Sequence, residues 1–403
     1  MNIKIHRGQH QIGGSIIEIS SPTTRILLDI GLELDDSKNK KRPDVEGLFD
    51  SKGFDAVFIS HYHSDHMGLA YQIFKGIPIY IGEKSFQIVK ASDCYKGDQT
   101  FLPRGFMIHQ KPIEIGDIKV TPFLCDHSAF DSFMILVESA GESILYTGDF
   151  RSNGRKPFNW LISKLPKKVD ILICEGTTLS RDSYVNETES ELEVRVDAIF
   201  SKTQGPIFVL QSSLNIDRIV TMYRSSKKCK RLFLQDLYMA EITSSLGGSI
   251  PNPLSFNDVK TFLTRPYPED HFRYKLFNKY GSKKIGKAQI VNSKFVMCVR
   301  SSMKNYLKSL QKEMSFENGV LIYSFWSGYK DQPEMKVFLK KCEELGLEIE
   351  TMHVSGHADE GALKELINHV NPNRIIPVHT ENAKWFEEFM KPTNIEGKTG
   401  EQI

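Results

Sequence analysis

The sequence predicts an α/β protein in which a strand-rich body is interrupted by a basic segment of alternating strands and helices. Three observations carry that prediction. The first 180 residues hold short runs rich in Ile, Val, Leu and Phe, each bounded by Gly, Pro, Asp or Ser as strands usually are. From near Ser180 the rhythm changes to helix and strand in turn, the signature of a parallel sheet. Charge changes with it: Ser201 to Lys330 carries 21 Lys plus Arg against 8 Asp plus Glu, a net of +13, whereas the remainder nets −11 within a chain of only +2. Such a split points to one region facing a polyanion, with solvated lysines on helix faces as the plainer reading.

In order, the strands expected are "SIIEISS", "RILLDIG", "AVFIS", "IPIYIG", "IKVTPF", "SFMILVES", "SILYTGD" and "DILICEG". Some read as buried on both faces and others alternate, as stacked sheets covered by helices would require. "MGLAYQIFKG" has helical spacing and closes on Gly76. Beyond Ser180, "ETESELEVRVDAIFSK", "SLNIDRIVTMYRSSKK", "LYMAEITSSLGG" and "SSMKNYLKSLQKE" read as helices, with "PIFVL", "RLFLQD", "SKFVMCVR" and "GVLIYSF" as strands. The last stretch repeats the alternation: "MKVFLKKCEELG" helix, "EIETMHVSG" strand, "ALKELINHV" helix, "RIIPVHTE" strand. The basic segment therefore reads as an insertion, giving a body at 1–190 and 336–403 and an inserted domain at 191–335.

At 403 residues the chain can bury a large core and form two domains. Hydrophobic residues at 40% and charged residues at 25% are ordinary globular values. No apolar run approaches the roughly 18 residues of a membrane helix, and "MNIKIHRGQH" has no apolar segment of a secretory signal. The six cysteines are scattered with no CxxC pair, which fits free thiols in a reducing cytoplasm rather than disulfides or a cysteine zinc site.

The chemistry concentrates in "SHYHSDH", residues 60–66. A strand ends near Ser60 and a helix starts near Asp65, so His61, His63, Asp65 and His66 sit where side chains from a strand end and a helix start can converge. Imidazoles with a carboxylate suit a borderline divalent ion such as zinc. Two ions would divide the set, with His61 and His63 on one and Asp65 and His66 on the other. His127, Asp149 and His379 each follow a strand-like run, and Asp149 has two oxygens to share between ions. Each alone is an ordinary loop residue; together with the first four they supply the seven groups of a two-ion centre.

The ordered set HxHxDH, single His, "TGD" and late strand-end His resembles the metallo-β-lactamase superfamily. Glu175 in "ILICEGTT", His357 in "HVSGHAD" and His379 in "PVHTE" narrow the resemblance to its β-CASP branch of nucleic-acid nucleases. The resemblance spans nearly the whole chain. It implies an αββα sandwich with an inserted parallel α/β β-CASP cap, placed where the basic segment lies. It implies one ion on His61, His63 and His127, a second on Asp65, His66 and His379, and Asp149 between them; zinc is expected, with manganese chemically possible. Hydroxide derived from water between the ions would attack phosphorus, with Asp65 also part of the catalytic centre. His357 would protonate the leaving oxygen, oriented and kept charged by Glu175. Asp29 in "ILLDIG" matches a supporting aspartate, and Gly13–Gly14 a tight turn. RNA-directed members such as ribonuclease J carry His at the "PVH" position, so the implied reaction is cleavage of single-stranded RNA, endonucleolytic or from the 5′ end, in a cleft between body and cap. A small-molecule ester or lactone hydrolase on the same metals, or a silent RNA-binding subunit, are the alternatives.

The chain departs from the branch at Thr380, where relatives more often have Gly; a side chain there would crowd or line the metal pocket. It ends 24 residues after His379, which leaves no room for the C-terminal domain of ribonuclease J. "SSKKCKR" (Ser225 to Arg231) and "SKKIGK" (Ser282 to Lys287) are the candidate phosphate contacts. Ser324, Trp326 and Tyr329 in "SFWSGY" could line a cleft, with core burial the favoured expectation for the aromatics.

Overall fold

The structure is a computed structural model and describes residues 1–34, 42–181 and 187–389. The chain divides into two compact units: Met1–Phe86, Thr100–Asn186 and Gly356–Ile403 form the first, and Gln87–Gln99 with Glu187–Ser355 form the second.

The first unit contains two sheets. One is built from β1 (Asn2–Arg7), β2 (Ile16–Ser20), β3 (Arg25–Leu28), β4 (Ala56–Ile59), β5 (Ile79–Gly82) and β6 (Gly105–Met107), in that order. β1 to β3 pair antiparallel and β3 to β6 parallel. The other starts with β7 (Ile113–Ile115), β8 (Ile118–Cys125), β9 (Ser132–Ser139), β10 (Glu142–Tyr146) and β11 (Ile171–Glu175). Successive side chains on a strand point to opposite faces. Ile17, Ile19, Ile26, Leu28, Ala56 and Phe58 of the first sheet therefore meet Val120, Ile135, Val137, Ile144 and Ile173 of the second in one core. Each fully buried aliphatic or aromatic side chain stabilises by roughly 1.5–3 kcal/mol. The far face of the second sheet, with Leu145, Leu172 and Cys174, packs on Leu363, Leu366 and Val370 of helix Glu360–Val370. This is the sandwich the sequence implies.

The second unit holds β12 (Ile207–Leu210), β13 (Leu232–Asp236), β14 (Val259–Phe262), β15 (Phe295–Val299), β16 (Gly319–Tyr323) and β17 (Leu347–Thr351), paired as β14-β13-β15-β12-β16-β17. Every pairing in it is parallel. Its helices begin where the side chains dictate. Thr188 and Glu191 form a reciprocal capping box at Glu189–Lys202, Asn215 caps Ile216–Lys228, and Asp236 caps Leu237–Ser245. β18 (Arg374–Val378) then returns to the first unit and completes its second sheet beside β11.

Three expectations change. The inserted unit runs to Ser355 rather than to residue 335, because β17 hydrogen-bonds along β16, and it also takes in Gln87–Gln99. "MGLAYQIFKG" is not a helix. The helical turn Ser64–Met67 stops there, and the Leu69 N–H bonds Ile30 instead of continuing the ladder. The long helix of this region is Glu83–Lys96, whose apolar residues make no clear stripe to read. Among the described residues, no helix is long and apolar enough to cross a membrane.

Candidate metal centre

Strand direction gathers the site. β10, β11 and β18 are mutually parallel, with Tyr146 opposite Ile173 and Glu175 opposite Val378. β8 runs antiparallel to β9, and β9 to β10, so β8 points the same way as β10. All four strands thus end at one edge, the usual place for functional loops in such sheets. His127 follows β8, Asp149 follows β10, Glu175 ends β11 and His379 follows β18. In the first sheet the parallel pair β3 and β4 ends at Asp29 and His61 in the same manner.

Atoms from these ends converge. The ligand-capable atoms of His61, His63 and His127 lie within 4.8 Å of one another, as do those of Asp65, His66 and His379, and those of His61, His66 and Asp149. His63 Nδ1 is 3.2 Å from His61 Nε2 and 3.1 Å from His127 Nε2. Asp149 Oδ2 is 3.2 Å from His66 Nε2 and 3.8 Å from each of His61, His127 and His379. His379 Nε2 is 3.2 Å from Asp65 Oδ2. A fourth group joins Asp149, Glu175, His357 and His379. All seven residues assigned from the sequence are therefore together, with His357 and Glu175 beside them.

The outward nitrogens are held. Ser60 Oγ donates to Asp29 Oδ2 at 2.7 Å, so its contact with His61 Nδ1 at 3.0 Å is one in which the imidazole N–H donates. Thr177 Oγ1 donates to Glu175 Oε2 at 2.7 Å and receives His379 Nδ1 at 2.8 Å. His66 Nδ1 donates to Asp29 Oδ2 at 2.8 Å, and His127 Nδ1 bonds the Gly356 carbonyl. Each of these bonds puts a proton on the outer nitrogen and aims Nε2 inward, the orientation of metal-binding imidazoles. His66 Nε2 and Asp149 Oδ1 are buried with no hydrogen bond. Buried polar atoms without partners cost free energy, and imidazole lone pairs facing one another repel; a divalent cation resolves both. The residues fit such an ion.

Electrostatics agree. Burial, reinforced by neighbouring imidazoles, holds His61 and His127 well below the ordinary histidine range, and burial takes His63 down to about 4 against the pull of Asp65 and Asp149. These three are neutral donors at pH 7. Burial also pulls on His66 and His379, but Asp149 with Asp29 and Asp65 outweighs it for His66, and Asp149 with Asp65 for His379, so both are raised. Burial opposes ionisation of Asp149 and Asp65 too, yet the surrounding histidines hold both carboxyls below the usual range.

His357 Nδ1 donates to Glu175 Oε2 at 3.0 Å and lies 3.6 Å from Asp149 Oδ2. Glu175 Oε1 accepts the Phe150 N–H at 2.8 Å. Asp29 also accepts from Ser60 N and the Tyr146 hydroxyl, each at 2.7 Å. Asp29 and His379 both adopt left-handed backbone, at φ 60° and 51°. Such conformations cluster at functional sites; here bonds including His379 N–H to the Gly8 carbonyl hold the turn.

The glycine pair is more than a hairpin turn. Gly13 has φ 80°, and a Cβ on it would lie 3.0 Å from Asp65 Oδ2. A Cβ on Gly31, which the sequence did not single out, would lie 1.7 Å from the Asp65 carbonyl. Thr380 is fully buried, and its hydroxyl donates to the Gly176 carbonyl at 2.9 Å and accepts the Asn382 N–H at 3.1 Å. Sequence reasoning also missed Thr177, though a threonine two residues beyond an assigned acid was a usable signal. It missed the buried Asp126, bonded to Arg151 at 3.3 Å and Lys156 at 3.1 Å, which ties the His127 and Asp149 loops together.

The expected phosphate runs are partly occupied. Lys228 pairs with Asp197 and Glu193, and Arg231 bonds the Gly205 and Thr203 carbonyls. Lys283 bonds Asn257, Lys284 bonds Asn278, and Lys287 pairs with Glu313. Trp326 and Tyr329 are exposed rather than core, 40% and 41%, while Ser324 is buried against Arg218.

Comparison with known proteins places this geometry. Residues 24–206 match a profile described as a beta-lactamase superfamily domain, and residues 344–395 one described as a Zn-dependent metallo-hydrolase RNA specificity domain. Ribonuclease J of Helicobacter pylori (strain ATCC 700392 / 26695) is 22% identical over 393 residues, covering 93% of this chain and 55% of the relative. Cleavage and polyadenylation specificity factor 73 of Drosophila melanogaster is 22% identical, covering 94% and 60%. "Probable RNase MJ4" of Methanocaldococcus jannaschii is 24% identical, covering 93% and 92%. The chain thus spans a little over half the length of the ribonuclease J relatives it matches. A crystal structure of a protein of unknown function from Enterococcus faecalis V583 superposes with a TM-score of 0.80 at 21% identity, covering 100% of this chain and 99% of that one, and shares its fold. With both profiles in chain order around an inserted parallel α/β unit, the chain belongs to the β-CASP branch of the metallo-β-lactamase superfamily.

Proposed function

We propose that this chain is a metal-dependent phosphodiesterase that cleaves single-stranded RNA. The observation that carries the reading is the His357–Glu175 pair set against the His/Asp cluster, with His357 Nδ1 3.0 Å from Glu175 and 3.6 Å from Asp149. The pair supplies the proton that a departing ribose oxygen, a poor leaving group as the alkoxide, requires. Relatives named as ribonucleases and a matched profile named for RNA specificity support the substrate class.

In this reading His61, His63 and His127 would hold one divalent ion and Asp65, His66 and His379 a second, with Asp149 beside both. Zinc suits this His/Asp set, and manganese is the competing ion. Such ions supply Lewis-acid charge and an acidified water. The chain's own groups do the rest. Ser60, Asp29, Thr177 and the Gly356 carbonyl hold the outer nitrogens and so aim the inner ones at the cluster. Glu175 holds the His357 ring through Nδ1, which leaves Nε2 as the atom that gives a proton to the departing ribose oxygen.

The test uses end-labelled single-stranded RNA bearing a 5′ phosphate or a 5′ hydroxyl, with zinc or manganese. Wild type is expected to cleave and His357→Ala to be slower by about 10²- to 10⁴-fold with metal content retained. Equal rates would remove the acid from the mechanism. The ladder of products separates internal cleavage from stepwise 5′ digestion.

A further inference from the structure

We infer that the second unit carries a single-stranded RNA-binding surface in which Arg265, Arg273 and Arg300 interleave with Tyr95, Tyr267 and Phe272. The choice of RNA rests on the ribonuclease reading above. The arrangement itself rests on geometry, and none of these residues lies in the lysine-rich runs that the sequence singled out.

Three separate stretches meet here: the end of helix Glu83–Lys96, the segment from Arg265 to helix Phe272–Asn278, and the residue after β15. The Arg273 guanidinium stands 4.7 Å from the Tyr95 ring centre, 5.1 Å from Phe272 and 5.8 Å from Tyr267. Arg265 stands 5.0 Å from the Tyr267 ring and bonds its hydroxyl at 3.1 Å. Arg300 stands 5.4 Å from Tyr238, whose ring is 5.0 Å from Tyr95. Arg265 and Phe272 are exposed, and Tyr95, Tyr267, Arg273 and Arg300 are half-buried.

Charge balance distinguishes this cluster from structural cation–π packing. Arg300 is paired, with Asp236, but its Nε is buried without a hydrogen bond. Among the described residues no carboxylate forms an ion pair with Arg265 or Arg273, although Glu269 and Asp270 are exposed on the same segment. Elsewhere in the unit, Lys228, Lys279 and Lys287 are paired with Glu193 and Asp197, Glu241, and Glu313. Guanidiniums gathered without matching carboxylates repel one another, and a polyanion relieves that cost. Phosphates take the planar guanidinium forks. Phe272 is the ring open to solvent, 39% exposed although stacked on His271 at 4.8 Å; an unpaired base stacked on such a ring gains about 1–3 kcal/mol, which a duplex with its bases stacked inside cannot match.

Fluorescence anisotropy of a labelled oligouridylate of about twelve nucleotides, with the full chain in EDTA, tests this. Arg265→Glu combined with Phe272→Ala is expected to weaken binding at least tenfold and to reduce the salt slope by about 1–2. Arg265→Lys combined with Phe272→Leu keeps charge and bulk but loses fork and ring; it is expected to weaken binding severalfold and guards against misfolding in the first variant. Duplex RNA and polyglutamate are expected to compete poorly. Affinity within twofold of wild type in both variants, no binding by wild type, or equal competition by polyglutamate would overturn the surface. Binding that responds to the variants while the metal-loaded wild type leaves the same RNA intact would instead keep the surface and overturn the nuclease reading.

Discussion

Two buried charged clusters, one in each unit, are built in opposite ways. In the second, Arg218 and Glu189 are both fully buried, and every bond they need is made: guanidinium to carboxylate at 3.0 and 3.3 Å, Thr221 to Glu189, and Arg218 to the Met352 carbonyl. In the first, His61, His66 and Asp149 are as deeply buried, yet imidazoles and a carboxylate crowd on one point, and His66 Nε2 and Asp149 Oδ1 are left without a hydrogen bond. A satisfied buried pair locks a fold. An unsatisfied buried cluster stores a demand for a cation. Burial alone does not tell a structural charge from a functional one; whether its hydrogen bonds are made does.

That contrast can be broken from either side. The largest effect is expected at Asp149. Asp149→Ala should abolish stoichiometric metal and lower RNA cleavage by at least about a thousandfold, while the thermal transition of the metal-free chain moves little. Metal analysis beside a calorimetric melt reads both, and full metal content in the variant would sink the cluster as a metal centre.

On the other side, Arg218→Met strands the Glu189 carboxylate and should cost about 3–5 kcal/mol in denaturant unfolding of the second unit. The double change with Glu189→Leu should recover most of it. A single variant as stable as wild type would mean that the pair is not the lock described here.

A smaller effect sharpens the contrast at Thr177, which joins His379 to Glu175. Thr177→Val should weaken metal binding by about 10- to 100-fold, as loss of an outer hydrogen bond to a ligand does, and Thr177→Ser should restore it. Calorimetric titration distinguishes this from a packing defect, which serine would not repair.

The smallest concerns Glu18. Burial raises its carboxyl, but His6 and Arg25 outweigh that and bring it down to about 2. A group depressed in the folded state contributes stability above its ordinary value near 4.5 and loses it as pH falls toward 2. Glu18→Gln should therefore narrow the stability difference between pH 6 and pH 2.5, read as a smaller drop in melting temperature on acidification.

Strand identity was legible because strand ends carried the chemistry. All eight runs assigned in the first 180 residues are strands, since apolar runs cut by Gly and Asp leave little alternative. The edge strands β1, β6 and β7 went unread because edges need fewer apolar residues and mix charge with them. The Thr380 bonds went unread because sequence order gives the neighbour of His379 but not which way its side chain turns.

By itself the sequence picked out the seven residues that the fold gathers, the His357–Glu175 pair beside them and the alternating inserted unit, because residue type and strand–helix period are local properties. Only the tertiary structure decided which buried charges are satisfied, that Lys228 and Lys287 of the lysine runs are paired with carboxylates, and that Arg265, Arg273 and Arg300 stand among aromatic rings. Those depend on pairings between residues up to about two hundred positions apart, and no local pattern encodes them.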